Sequence, residues 1–488
     1  MAKTAHYNAL ILGSGQAGTP LALHLRSLNQ TVCLVERSHI AGCCVNEGCT
    51  PTKTMVASGR AAYLARRAAD YGVGIGNSEV KVDMQKVRQR KRDIVDSFRG
   101  GSERKLANSG ADVIMGSAKF TGEREIEVTS EKGSSAQKIT ADKVYINVGC
   151  RPMRPAVSGL DSVDQVRVLD STSIQELGEV PEHLVVVGGG PIGLEIGQLF
   201  RRFGAKVTIV QRGPKLLGKK ADPEIAKCLQ QILEDEDIHI LLNTQVSEVA
   251  RSDDTKLPIN MTLNTTEAPN TQIHASHILL ATGRIPNLDT LNLAAANITT
   301  TSNGYIQVSP TLETNVEGVY ALGDVKGGPA FTHVSYDDFR IVRDNLFPAS
   351  FQAPSKLHTT TSRAPFISSV TYTDPQFAHI GPPLLSLPPS KTFISYSMPA
   401  TWIARGLETD ETRGMLKAVI DPETNQIVSF SAIAVEGGEV MSVVQMAMLG
   451  KLTWMDLRDG VFAHPGWSES LNNLWGGERR EFRGGEVV

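Results

Sequence analysis

The sequence predicts an α/β protein built from two Rossmann-like βαβ domains and a C-terminal α+β domain. Three observations predict it. Two strand–glycine loop–helix–strand units occur, one opening at Asn8 and one at His183. Each carries glycines in the G-x-G-x-x-G spacing that suits a tight turn at a helix N-terminus. Past residue 390, short strands alternate with helices, in a chain whose 488 residues allow about three domains.

Hydrophobic residues make up 41% and charged residues 21% of the chain, with a net charge of −3, the balance of an ordinary globular protein. Such even charge argues against a general nucleic-acid or membrane-surface partner. No apolar run approaches the roughly 20 residues a membrane helix needs; residues 183–200 come nearest and are interrupted by glycines and charge. Six cysteines are too few for a secreted disulfide framework. So few residues precede the first strand that no targeting peptide is expected, which implies a cytoplasmic location.

The first unit opens with the apolar strand Asn8-Ala-Leu-Ile-Leu12, passes through Gly13-Ser-Gly-Gln-Ala-Gly18, and continues as an apolar helical pattern to about Leu28. A second strand, Thr31-Val-Cys-Leu-Val35, ends in Glu36. Gly13, Gly15 and Gly18 permit the turn and let a pyrophosphate approach the helix N-terminus, while Glu36 can take a ribose hydroxyl. The unit reads as a dinucleotide site.

Thirteen residues, Ala41-Gly-Cys-Cys-Val-Asn-Glu-Gly-Cys-Thr-Pro-Thr-Lys53, then carry Cys44 and Cys49. On one straight helix these thiols would lie about 140° apart. A bridge needs Cα atoms within roughly 7 Å, so the backbone between them must bend. Asn46 and Gly48 tolerate the dihedrals of such a bend. Pro51 suits the first turn of a following helix, whose positive end would favour a thiolate at Cys49. The pair reads as a redox couple; reduced, buried cysteines beside a turn are the alternative.

Residues 58–109 read as mostly helical. Their basic run Arg88-Gln-Arg-Lys-Arg92 is followed by Asp93 and Asp96 and reads as a solvated helix face. Residues 111–139 alternate as short strands, and Lys143-Val-Tyr-Ile-Asn-Val-Gly149 is the next buried strand. The second dinucleotide unit joins Leu184-Val-Val-Val187, Gly188-Gly-Gly-Pro-Ile-Gly193, a helix carrying Glu195, and Lys206-Val-Thr-Ile-Val210. Gly188, Gly190 and Gly193 repeat the phosphate turn. Gln211 and Arg212, with Lys215 nearby, stand where an NADH site would carry an acid, which favours NADPH over NADH. His277-Ile-Leu-Leu-Ala-Thr-Gly-Arg-Ile-Pro-Asn287 follows, then residues 314–325 ending Tyr-Ala-Leu-Gly-Asp-Val, then proline-rich turns over 348–390. Strands at 414–420 and 427–435 and a helix at 438–450 form the third domain, and Phe462-Ala-His-Pro-Gly-Trp-Ser-Glu469 is the last motif.

Together these motifs resemble the pyridine nucleotide–disulfide oxidoreductases over essentially the whole chain. The cysteine stretch is similar to the family's GGTCVNxGCxPSK, departing at Ala41, Cys43 and Thr52. Residues 462–469 resemble its HPTxxE, with Gly466 in place of threonine, and Asn147-Val-Gly149 departs from its Ala-Thr-Gly. The resemblance implies a discontinuous FAD domain over 1–155 and 280–348, an inserted NAD(P)H domain over 156–279, and an interface domain over 349–488 that forms a homodimer. It implies a redox-active Cys44–Cys49 disulfide in which Cys49 faces the flavin and Cys44 attacks the acceptor. Lys53 would pair with Glu195 near the flavin, and His464, oriented by Glu469, would exchange protons with the couple across the dimer. Asp324 would hold the ribityl chain. Gly42, Gly149, Gly283, Arg284, Gly323 and Asp324 join Gly13, Gly15, Gly18, Glu36, Lys53, Gly188, Gly190, Gly193 and Arg212 as the expected cofactor-binding set.

Residues 331–343, Asp374-Pro-Gln376 and residues 463–475 look most like the mercuric-reductase-like branch, and within it the flavoprotein copper reductases of hypochlorite defence. A small-molecule disulfide or a soft metal ion (Cu or Hg) is therefore the expected acceptor, with no resident metal. Residues 476–488 hold no cysteine, whereas mercuric reductases carry a vicinal pair there. Cys43 could supply a soft ligand beside Cys44 or be a small buried substitute for threonine. Alternatives are an NADPH oxidase or quinone-type reductase that spares the disulfide, a dihydrolipoamide dehydrogenase-like activity, and a flavoprotein serving as a structural subunit.

Overall fold

The computed structural model describes residues 4–74, 79–130, 136–218, 221–265, 270–348 and 357–486. The protein is α/β and forms two compact units. Met1–Thr54, Gln89–Pro152 and Arg284–Ala364 make the first; Met55–Arg88, Met153–Gly283 and Pro365–Val488 make the second.

In the first unit, Ala5–Leu12 lies between Val32–Glu36 and Gln137–Ile146, with all pairings parallel. Parallel pairing extends outward to Asp112–Gly122 on one side and Val319–Ala321 on the other. Glu125–Ser130 pairs antiparallel with both Asp112–Gly122 and Gln137–Ile146. Val32–Glu36 is buried at every position, as a strand covered on both faces should be. Successive side chains alternate between the faces. Ile11 and Leu34 pack on Leu21, Leu25 and Phe339 from helices Gly18–Ser27 and Thr332–Leu346, while Leu12 and Val35 pack on Phe120, Ile298 and Ile306.

The second unit holds a parallel sheet in the spatial order Ile238–Leu241, Lys206–Val210, His183–Val187, His277–Leu280, Val168–Leu169. Helix Pro191–Phe203 covers it through Leu194, Leu199 and Phe200. A three-stranded antiparallel sheet, Thr244–Arg251, Ile259–Thr265 and Thr271–Ala275, is also present. The remaining sheet is antiparallel, in the order Ser368–Thr371, Gln376–Ile380, Gln426–Ala434, Met415–Asp421, Thr392–Pro399, Glu478–Arg483. Helix Gly437–Leu449 buries Val440, Met441 and Val444 in the same core. No helix among the described residues is long and apolar enough to cross a membrane.

Two expectations change, over 348–390 and at Lys91. The stretch 348–390 holds two strands of the last sheet, Ser368–Thr371 and Gln376–Ile380, because Val370, Ala378 and Ile380 face its core; residues 349–356 of that stretch lie outside the described residues. The mostly helical reading of 58–109 holds, through Cys49–Arg66, Ala68–Tyr71 and Met84–Ser109. Residues 55–88 fall in the second unit, where Met55 and Met84 are buried with Leu194 and Leu199. Lys91, inside the basic run, is 3% exposed rather than solvated.

Candidate active site

The cysteine stretch bends, but the strained dihedrals lie ahead of the couple. Helix Gly42–Asn46 stops, and helix Cys49–Arg66 begins at the second cysteine. Left-handed backbone falls at Ala41 (φ 77°) and Gly42 (φ 67°), not at Asn46 or Gly48. Asn46 instead donates its amide to the Ile40 and Gly42 carbonyls (2.9 and 2.8 Å), tying off the short helix. Gly48 permits close approach, since a Cβ there would lie 3.1 Å from the Cys43 carbonyl oxygen and 3.3 Å from Cys44 Cα. Pro51 sits in the first turn of the second helix, where a missing N–H costs no helical bond.

Cys44 and Cys49 are close enough to share one hydroxyl partner. Thr332, the first residue of its helix, joins the two sulfurs. Its hydroxyl donates to Cys44 Sγ (3.1 Å) and lies 3.3 Å from Cys49 Sγ. A hydrogen bond with Cys49, then burial, then the Cys49 charge push the Cys44 thiol well up, with Thr332 opposing. The thiolate is the nucleophile, so a Cys44 held up in this way needs a base before it can attack. Sequence reasoning missed Thr332; its one signal was its place opening a helix. Cys43 faces elsewhere: Arg284 Nη2 lies 3.5 Å from its sulfur and donates to the Cys150 carbonyl (2.5 Å). No cluster of three or more His, Cys, Asp or Glu able to hold a metal occurs among the described residues. Cys43 is exposed rather than buried.

The two glycine loops are built alike. A Cβ on Gly18 would lie 2.1 Å from the Gly13 carbonyl oxygen, and one on Gly193 would lie 2.0 Å from that of Gly188. Gly13 (φ 98°) and Gly188 (φ 120°) abut equivalent carbonyls, those of Asn147 and Ala281. Gly190 is the N-cap of helix Pro191–Phe203. Where Ala281 has a methyl, Asn147 has a carboxamide, oriented by its hydrogen bonds. Its oxygen accepts from Gly18 N (3.0 Å) and Gly15 N (3.3 Å), and its nitrogen donates to the Leu322 carbonyl (3.2 Å). Glu36, 8% exposed, accepts from Ser14 N (2.9 Å), Ser14 Oγ (2.6 Å) and Ser38 N (2.9 Å), so its carboxylate is held against the loop. Gly42 packs there too, a Cβ falling 2.7 Å from Gly15 Cα. The Gly149 carbonyl accepts from Asn287 N (3.0 Å). Asp324 lies in the turn Gly323–Lys326, where burial pushes its carboxyl up against the pull of Arg284 and Lys326. The donor set fits FAD: amides at a helix N-terminus suit a pyrophosphate, and Glu36 and Asp324 offer carboxylates to hydroxyls.

In the second unit, Gln211 Oε1 accepts from Gly189 N (3.0 Å) and its Nε2 donates to the Lys215 carbonyl (3.2 Å). Lys215 Nζ donates to the Ala221 carbonyl, while Arg212 is exposed. The Gly283 carbonyl accepts from Met153 N (2.9 Å). Glu195 is buried and accepts from Tyr372 N (2.7 Å). Lys53 belongs to the first unit and Glu195 to the second.

His464 and Glu469 meet. Nδ1 of His464 lies 2.9 Å from both Glu469 carboxylate oxygens, across a turn that includes the cis peptide bond His464–Pro465. The imidazole side chain is 66% exposed. A ring tied to a carboxylate through Nδ1 acts as acid or base through Nε2.

Residues 7–338 match the family model described as pyridine nucleotide-disulphide oxidoreductase, and residues 367–474 match that family's dimerisation domain. The chain is 31% identical over 482 residues to the probable pyridine nucleotide-disulfide oxidoreductase RclA of Escherichia coli, covering 96% of this chain and 98% of that relative. It is 32% identical over 467 residues to mercuric reductase of Bacillus cereus, covering 95% of this chain and 70% of that relative. The solved Cu(II) complex of the HOCl-induced flavoprotein disulfide reductase RclA from Escherichia coli matches with a TM-score of 0.85 at 30% identity, over 97% of this chain and 99% of that one.

Proposed function

This chain belongs to the pyridine nucleotide–disulfide oxidoreductases, and from that premise we propose that it passes electrons from NADPH through FAD to the Cys44–Cys49 couple and on to a disulfide or soft metal ion. The observation that carries the reading is the pair of sulfurs sharing the Thr332 hydroxyl. Cys49 and Thr332 each open a helix, and helix N-termini favour negative charge on the sulfurs.

FAD, which the Gly13–Gly18 loop, Glu36 and Asp324 would hold, would supply the two-electron chemistry that links a nicotinamide to the disulfide. The chain's residues do the rest. Cys44, relieved of its proton by His464, attacks one sulfur of an acceptor disulfide; a Cys44 mixed disulfide forms and a thiolate leaves, taking the proton from His464. Cys49 then displaces the second thiolate, which leaves the Cys44–Cys49 disulfide oxidised and the acceptor reduced. Glu469 holds the imidazole, and Lys53 with Glu195 tunes the flavin site. Each couple is served by the histidine of the other subunit in a homodimer, a reading supported by the match to the dimerisation domain. The likeness to mercuric reductase and to the copper complex of RclA supports a soft-metal acceptor. Arg212, exposed beside a neutral Gln211, supports NADPH.

A panel of disulfides, Cu(II), Hg(II) and quinones tested with NADPH decides among acceptors. Cys44→Ser should abolish turnover of disulfides and metal ions while leaving quinone reduction. Full turnover of every disulfide and metal acceptor by that variant would hand the function to a flavin-only oxidase.

A further inference from the structure

Residues 339–366 fall between the two family-model matches, and their described part contacts the flavin-side helix in a way the cycle above does not use. His358 and Arg363 both clasp helix Thr332–Leu346. Arg363 Nη1 donates to Asp337 Oδ2 (3.0 Å) and to the Val334 carbonyl (3.2 Å), and Nη2 donates to Asp338 Oδ1 (2.5 Å). His358 bridges two acids, with Nε2 3.3 Å from Asp337 Oδ2 and Nδ1 3.0 Å from Asp344 Oδ2. Asn345 donates its amide to the His358 carbonyl (2.6 Å).

Asp338 is the interior end of this clasp. It is 0% exposed, and a buried carboxylate is tolerated only when paired and hydrogen-bonded. Arg363 is one cation, and Lys326 Nζ, 3.3 Å from Oδ2, is the other. The same Oδ2 accepts from Gly323 N at 2.7 Å. Gly323 directly precedes Asp324 and has φ 73°; a Cβ there would lie 2.9 Å from the Asn147 carboxamide and 3.0 Å from Ser335 Oγ. The amide of the residue before Asp324 thus hangs from the Asp338 carboxylate.

We propose that Asp338, held by Arg363 and Lys326, is a positioning residue for the flavin: its carboxylate fixes the Gly323–Asp324 turn in the conformation that presents Asp324 to the ribityl hydroxyls. The inference rests on the FAD reading above. Asp338→Asn keeps the size but removes the charge that both cations and the Gly323 amide share. Asp337→Asn is the control, because that carboxylate meets the same Arg363 and His358 instead of Gly323.

The test strips FAD from the purified protein and titrates it back, following flavin fluorescence and visible circular dichroism, with the melting temperature of each apoprotein measured alongside. Asp338→Asn should raise the FAD Kd about tenfold or more and change the visible dichroism of the bound flavin. Asp337→Asn should lower the apoprotein melting temperature while holding the wild-type Kd. Wild-type Kd and dichroism in Asp338→Asn would overturn the proposal, and so would an equal Kd increase in Asp337→Asn. If Asp338→Asn does not fold, Arg363→Lys, which keeps the charge and loses the fork, should raise the Kd by a smaller factor, and a wild-type Kd there overturns the proposal. A wild-type protein that took up no FAD would instead overturn the flavin reading itself.

Discussion

Removing the Thr332 hydroxyl isolates what it does for the couple, because Thr332→Val keeps the shape of the side chain and takes away the contact to both sulfurs. Turnover should fall roughly tenfold, in line with a lost hydrogen bond to a charged group, and stopped-flow reduction should show a weakened thiolate–flavin band. An unchanged band and rate would remove Thr332 from the site. Arg212→Glu should raise the KM for NADPH by about tenfold or more through lost phosphate pairing while moving NADH little. Equal effects on both coenzymes would show that Arg212 does not read the 2′-phosphate. At this scale, local jobs were legible in the sequence. Gly18 and Gly193 close turns on carbonyls a few residues back, whereas Gly48 serves close packing and not the dihedrals read for it. Thr332 and Asn147 were not legible, because the groups they bond, Cys44 and the Gly15 and Gly18 amides, are far away in the chain.

Among the elements, the clasp on helix Thr332–Leu346 has a pH dependence with a definite sign. A hydrogen bond to Asp337, against burial and with help from Asp344, raises the His358 imidazole above its usual value. Its contribution is full below about pH 6.5 and is lost as pH rises through that raised value. Burial pushes Asp337 up, but hydrogen bonds from His358 and Arg363 win and hold it near a pKa of about 2. That contribution is full above about pH 4 and is lost as pH falls toward about 2. Hydrogen exchange over residues 357–364 should therefore be slowest, after correction for intrinsic rates, between about pH 4 and 6.5. His358→Gln should abolish the rise on the alkaline side; the same rise in that variant would contradict the assignment. Element type was readable wherever periodicity was strong, as in helices Gly18–Ser27 and Pro191–Phe203. It failed over 348–390, where prolines masked two strands whose pairing is non-local: Gln376–Ile380 pairs with the distant Gln426–Ala434, and Ser368–Thr371 adds to its other edge.

For the whole molecule, the homodimer and the electron route are testable separately. Mixing His464→Ala with Cys44→Ser subunits should restore about half of the sites in each mixed dimer, since one of its two sites then carries neither change. No recovery despite verified subunit exchange would put His464 and the couple to work within one chain. The family was legible because its motifs are short, ordered and spread over the full chain. The unit boundary was less so, because residues 55–88 leave the first unit through Met55 and Met84, core contacts that no local pattern announces. The electron route is tested most directly by anaerobic titration of the oxidised holoprotein with NADPH. Stoichiometric NADPH should produce long-wavelength charge-transfer absorbance between the Cys49 thiolate and oxidised flavin, and Cys49→Ser should lose it. Direct bleaching of the flavin, with no charge-transfer band and the same course in Cys49→Ser, would contradict passage of electrons through the couple.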